Sequence, residues 1–248
     1  MTDLTAVTQD PVVEVQDLVI KYHNKTAVNG INFSVQRGEC LGVLGGNGAG
    51  KSSTLKVLGG VLLHTDGSVR VNGVEITDFK SADYARSIVG YSPDVGGLIP
   101  QATLREHIGV SLSMRRKLDR MESALSFVEM FRMQDALDLP ANSFSHGMSR
   151  RASVILAVIG SKDLVILDEP FDGVDPVGVE AVRETIKMAT SRGVSVIVST
   201  HLQQTLAEAT DRIMVMSQGQ VLAQEPSDNF LGADGVNYYQ KLLKDSLA

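Results

Sequence analysis

Apolar and polar positions alternate over residues 13–18 and 31–35, the period-two spacing of strands with one buried face. Residues 68–76 alternate around Asn72-Gly73, a pair suited to the positive φ angles of a type I′ turn, so a hairpin is predicted there. The first ninety residues thus read mostly as strands, much of them an antiparallel patch. Interleaved with it, residues 40–44 are an unbroken apolar run and 51–58 carry helical spacing, which predicts strand, glycine loop and helix in that order. From 102 to 160 the chain changes to charged amphipathic segments, 114–131 among the longest, and an inserted helical subdomain is predicted. Beyond it, residues 164–167 and 194–199 suit parallel strands buried on both faces, with a helical stretch at 178–191 between them. A last hairpin, 212–216 and 221–224 around Gln218 and Gly219, precedes a predicted helix over 236–247.

Composition narrows the function classes. A chain of 248 residues with 43% hydrophobic content can bury a sizeable core without disulfide staples. Its formal net charge is −6 with Lys and Arg dispersed, so it lacks the basic footprint of a nucleic-acid binder. The one cysteine, Cys40, lies in an apolar run and reads as a small buried hydrophobe, with a reducing compartment as the default. Residues 1–15 carry an early acid and no basic flank ahead of an apolar core, which excludes a secretory signal and predicts a cytoplasmic chain. The longest nearly apolar stretch, 152–160, falls short of the roughly 20 residues a membrane-spanning helix needs, so membrane association must come through a partner.

The chemistry-bearing residues follow the same order. Gly45, Gly46, Asn47, Gly48, Ala49, Gly50, Lys51 and Ser52 fill G-x-x-x-x-G-K-S between the predicted strand and helix. Glycines let successive backbone N–H groups curl around phosphate oxygens at a helix N-terminus, whose dipole favours an anion. Lys51 then reaches the β and γ phosphates of ATP, Ser52 places its hydroxyl on magnesium, and Ser53 can hydrogen-bond the α phosphate. Residues 164–167 deliver Asp168 and Glu169 at a strand end, where ligands bind in α/β sheets. Two acids after an apolar run can simply be a solvated strand end; beside a phosphate loop, Asp168 suits the ion's water shell and Glu169 suits a general base. His201 follows the strand at 194–199 and could hydrogen-bond the γ phosphate.

In order and approximate spacing, the phosphate loop, the helical insert, Ser145-His146-Gly147-Met148, Asp168-Glu169 and Ser199-Thr200-His201 resemble the ABC ATPases over nearly the whole chain. The resemblance implies an α/β fold: a P-loop NTPase core with an antiparallel β subdomain and an inserted α-helical subdomain. It implies one ABC ATPase domain over 1–248, with 12–92 and 161–225 as core and β subdomain, 95–160 as the helical signature subdomain and 226–248 as a helical tail. Tyr22 matches the aromatic that stacks on adenine, the alternative being a surface or core tyrosine. Phe144 to Met148 matches the signature L-S-G-G-Q. It keeps Ser145 and Gly147, the positions that touch phosphate, and departs at His146 and Met148; Ser145 alone also reads as the cap of a helix over 149–159. Asp172-Gly173-Val174-Asp175 resembles the loop that contacts a partner subunit, with Asp172 where serine or alanine is more usual; a simple turn is the alternative. Gly90-Tyr91-Ser92-Pro93-Asp94 resembles the loop joining core to helical subdomain. Asp94 stands there in place of the usual glutamine and would meet the metal, turn away, or be an ordinary loop residue.

The function so implied is the ATP-binding and ATP-hydrolysing subunit of an ABC transporter, with Lys51, Glu169 and His201 as its catalytic residues and ATP and Mg2+ as ligands. Its expected partners are transmembrane permease subunits at the cytoplasmic face of the cell membrane. A second ATPase subunit, identical or not, is also expected, because each ATP sits between the phosphate loop of one chain and the signature of the other. The Gly147-Met148 ending and short C-terminal region lean toward export. The alternative is a soluble ABC ATPase acting on a protein assembly.

Overall fold

In the computed structural model, which describes residues 10–246, the chain begins with β1 (Val13–Tyr22), β2 (Lys25–Val35), β3 (Cys40–Leu44) and α1 (Lys51–Leu58). There follow β4 (Asp66–Val71), β5 (Val74–Glu75), α2 (Phe79–Ile88), β6 (Val89–Ser92), α3 (Leu104–Met114), α4 (Met121–Met130) and α5 (His146–Gly160). The chain continues through β7 (Leu164–Asp168), α6 (Pro176–Ser191), β8 (Ser195–Thr200), α7 (Gln203–Ala207), β9 (Arg212–Ser217), β10 (Gln220–Pro226) and α8 (Gly232–Asp245). Residues 1–9, on which most of the secretory-signal argument rests, and Leu247 of the predicted last helix lie outside the described residues.

The predicted antiparallel patch is a sheet in the order β2-β1-β4-β5. Asn72 and Gly73, at φ 51° and 77°, turn β4 into β5 as their side chains favour. A second sheet runs β10-β9-β3-β8-β7-β6, with β9, β3, β8, β7 and β6 parallel and β10 closing it antiparallel. Its central strands alternate between two cores. Leu41, Val43, Leu164, Ile166 and Ile197 pack with the antiparallel sheet and α1, while Leu44, Val165, Leu167, Val196 and Val198 pack with the helical side. Burial on both faces is why these strands read as unbroken apolar runs. Cys40 is 2% exposed, and burial pushes its thiol up, with Asp211 and Glu39 adding to the shift.

Three sequence readings change. The first ninety residues, read as mostly strand with one helix, hold a second helix, α2, started by a reciprocal capping box between Asp78 and Ser81. The stretch 90–94, read as a loop, is strand β6 through Ser92, paired in parallel with β7 at the sheet edge. The segment 114–131 is not one helix. It breaks after Met114, where Arg116 takes φ 54° and Lys117 N–H donates to Leu112 O at 2.8 Å, and α4 ends the same way, with Arg132 at φ 51° and Met133 N–H on Val128 O at 2.9 Å. These are left-handed helix stops with arginine where glycine is usual.

Helix α5 lies directly on β6. A Cβ added to Gly90 would stand 1.9 Å from the carbonyl oxygen of Ala157, so the backbones approach through the missing side chain. Gly90→Ala is expected to destabilise the protein by about 3 kcal/mol, the upper end for overpacking because neither backbone can yield cheaply. Chemical denaturation checks this, and an unchanged midpoint would refute it.

Candidate functional site

The cavity of about 520 Å³ at the C-terminal ends of β3, β7 and β8 is lined by residues 46–53, Tyr22, Lys25, Ala27, Asp94, Glu169, Asp172 and His201. The loop after β3 reaches it because two glycines admit close backbone contacts. A Cβ on Gly45 would meet Met216 O at 2.4 Å, and one on Gly50, at φ 105°, would meet Ala27 O at 2.7 Å. Gly46 is different: nothing lies within 4 Å of its missing Cβ, so a side chain there would only intrude on the space above the loop. Ser52 and Ser53 begin α1, and Tyr22, at the end of β1, donates its hydroxyl to Ser53 Oγ at 3.3 Å. Lys25 and Ala27, on β2 across the hairpin from Tyr22, are lining residues that the sequence reading missed, since they carry no motif.

Strand β8 sits between β3 and β7 and sets the acids. Asp168 pairs in register with Ser199, whose hydroxyl donates to Asp168 Oδ1 at 2.5 Å. The Glu169 N–H donates to Ser199 O at 3.0 Å and to its Oγ at 3.2 Å. Glu169 itself is held at φ 51°, a conformation costing a non-glycine residue about 1–3 kcal/mol and kept only where its surroundings over-determine it. The turn aims Glu169 into a buried bridge. Its Oε1 lies 3.1 Å from Lys51 Nζ and its Oε2 3.2 Å from His201 Nδ1, while Lys51 also donates to Gly45 O at 2.7 Å. Lys51 is 6% and Glu169 8% exposed, so each charge is stranded without the other.

Asp168 is fully buried, and its Oδ2 has no hydrogen-bond partner. Burial holds its carboxyl above the usual range; the Ser199 hydrogen bond and the nearby Ser52 hydroxyl oppose this, and the charges of Asp94 and Glu169 add to it. An orphaned carboxylate oxygen beside a serine hydroxyl, crowded by two further acids, is a donor set that a divalent cation fits. No group of three His, Cys, Asp or Glu among the described residues could hold a metal by itself.

Two predicted site residues are not brought to this cavity. Ser145 Oγ caps α5 by accepting from Met148 N–H at 3.2 Å, and Gly147 packs under Gly173, whose carbonyl oxygen a Cβ on Gly147 would meet at 2.7 Å. Asp94 lines the cavity, but its carboxylate is ion-paired to Arg150, a residue the sequence reading did not single out. No helix among the described residues is long and apolar enough to cross a membrane.

This arrangement matches known proteins in sequence and shape. The sequence profile of the family described as ABC transporter matches residues 28–172, more than half of the chain. Over 240 residues the chain is 32% identical to the Nod factor export ATP-binding protein I of Ralstonia nicotianae, covering 92% of this chain and 73% of that protein. The solved ATP-binding subunit of an ABC transporter aligns with a TM-score of 0.85 at 27% identity, across 94% of this chain and 99% of that one. A dimeric ATP-binding cassette in a post-hydrolysis state with ADP and Pi aligns at 0.79 with 21% identity, across 87% and 98%, a likeness of fold. The α/β architecture, the loop of residues 45–52 and these matches together make the chain a member of the ABC transporter family, one of its ATP-binding proteins.

Proposed function

We propose that the chain hydrolyses ATP as a dimer on the cytoplasmic face of a membrane and thereby drives export through separate transmembrane subunits. The observation that carries this reading is the convergence of Lys51, Glu169 and His201 on the phosphate-loop cavity, with the unpartnered oxygen of Asp168 at the end of the same sheet. The triphosphate lies along the loop's backbone N–H groups at the start of α1, with adenine against Tyr22 at the rim. Lys51 exchanges its contact with Glu169 for the β and γ oxygens, because a triphosphate outcompetes one carboxylate for an ammonium. Glu169 then accepts a proton from the water that attacks the γ phosphorus in line with the bond to the β–γ bridging oxygen. That bond breaks, and ADP and phosphate leave. His201 steadies the far oxygen of Glu169 and donates to the γ phosphate. Ser52 and Asp168 would hold magnesium, which when bound supplies positive charge against the β and γ oxygens.

Ser145 and Gly147 lie outside this cavity, so a second chain must bring its own copies to the phosphates. The dimeric fold relative bound to ADP and Pi supports such a pairing, with an identical or a related subunit. The relative named for Nod factor export supports the export direction. A groove of about 580 Å³ between α2 and α3 is lined by Tyr91, Ile99, His107, Val110 and Met114. Ile99, Val110 and Met114 are 59%, 54% and 83% exposed, an apolar face that we assign to the transmembrane partner.

Glu169→Gln keeps shape and removes basicity, so MgATP binding survives while kcat falls about 10²–10⁴-fold. A native turnover rate in this variant moves the base elsewhere. In the Glu169→Gln background MgATP yields a dimer in analytical ultracentrifugation, and Ser145→Gly weakens it at least about tenfold by removing a hydroxyl from a charged phosphate. Glycine keeps the helix cap to within a few tenths of a kcal/mol, so undiminished dimerisation would count against the signature's role. Val110→Glu, an exposed helix position, leaves the isolated ATPase and its stability unchanged within about 0.5 kcal/mol but abolishes stimulation by the transmembrane subunits. Retained stimulation in reconstituted vesicles removes the groove from the reading.

A further inference from the structure

Arg150, on the first turns of α5, is 4% exposed, unusual for a guanidinium. It donates to Asp94 Oδ1 and, at 3.2 Å, to the carbonyl oxygen of Pro93, and it stands 3.9 Å from Asp172 Oδ2. Asp172 Oδ2 is in turn 3.3 Å from His146 Nε2, and a Cβ on Gly173 would meet the His146 ring at 2.4 Å. The Arg150 Nε is buried without a partner, so its hydrogen bonds run from the two terminal nitrogens, one to the Pro93 carbonyl and one to Asp94. The polar chain His146–Asp172–Arg150–Asp94 therefore joins the start of α5, the loop after β7 and the loop after β6.

Asp94, His146 and Asp172 are also three positions at which the sequence departs from the ABC pattern; the fold brings both acids to one cation and sets His146 against Asp172. A glutamine at position 94 needs no counter-charge, whereas an aspartate does. Asp94 and Asp172 line the nucleotide cavity with Glu169, and Asp94 is close enough to Asp168 to add to the shift that burial imposes on it. Lys51 and His201 face Glu169, leaving Arg150 as the buried cation facing Asp94 and Asp172. We propose that Arg150 is a positioning residue that neutralises Asp94 at the edge of the nucleotide cavity, keeps its carboxylate off the metal and phosphates, and fastens the Asp94 and Asp172 loops to α5. The inference rests on the ATPase reading above.

The test is a charge-rescue cycle in the full chain. Arg150→Ala frees a carboxylate beside the triphosphate and raises KM for MgATP about tenfold, with kcat changed much less, because an unscreened like charge opposes binding at short range. Adding Asp94→Asn to Arg150→Ala returns KM to within about twofold of wild type, and Arg150→Lys, which keeps the charge, loses little. A double variant as impaired as Arg150→Ala alone overturns the proposal, since a purely structural arginine would not be rescued by removing the charge of Asp94. An unchanged KM in Arg150→Ala overturns it as well. If Arg150→Ala does not fold, Arg150→Gln, which keeps a polar donor of similar bulk and loses the charge, takes its place in the same cycle with the same two outcomes. Wild-type hydrolysis separates the failures: its absence overturns the ATPase reading and this role together, while native hydrolysis without rescue overturns the role of Arg150 alone.

Discussion

The site depends on one pairing, the insertion of β8 between β3 and β7. Parallel register fixes Leu44 against Thr200 and Asp168 against Ser199, so the phosphate loop, the acid pair and His201 leave the same edge of the sheet within reach of each other. Side chains alternate along a strand, and a slip of one residue would turn Asp168 to the opposite face. The hydrophobic alternation between the two cores forbids such a slip, because it would exchange Ile166 and Leu167, Ile197 and Val198, between differently shaped interiors. Specificity of the fold and placement of the chemistry are therefore one constraint.

On that frame the protein holds charges it could not tolerate singly. Lys51 and Glu169 are buried against each other, and removing either would leave an uncompensated ion at a cost of about 3–5 kcal/mol. The arrangement suits a site that must accept a polyanion, since the ammonium is already desolvated and aimed and changes partner rather than leaving water. Asp168 follows the complementary logic. Its buried, unpartnered oxygen and its upward-shifted carboxyl are unfavourable for the polypeptide alone and favourable once a cation shares them.

Much of this was legible in the sequence, and what was not has identifiable causes. The β3, phosphate loop and α1 succession, strands β7 and β8, and the Asn72-Gly73 turn each carry a local signal: buried runs, glycines at required positive φ, or a residue pair suited to a tight turn. The helix stops at Arg116 and Arg132 carry no glycine, so composition gives no warning of them. Helix α2 was announced by Asp78 and Ser81, a serine variant of the capping box that is easily passed over in a stretch of strands. Arg150 could not have been found this way. Its partners lie 56 and 22 positions away in sequence, and an arginine three residues beyond Gly147 looks like any solvated helix position until its exposure is known.

Helix α5 gathers these contacts into one body. Its cap, Ser145, lies outside the nucleotide cavity; a turn later Arg150 holds Asp94 and Asp172; further along, Ala157 rests on Gly90 of β6. Fifteen helical residues make a rod of roughly 22 Å, stiff compared with the loops it touches. Through Arg150 the first turns of this rod hold the Asp94 loop, whose continuation, with Val95 84% exposed and Ile99 59% exposed, borders the apolar groove. At Gly90 the contact is backbone against backbone, with no side chain between the two to yield.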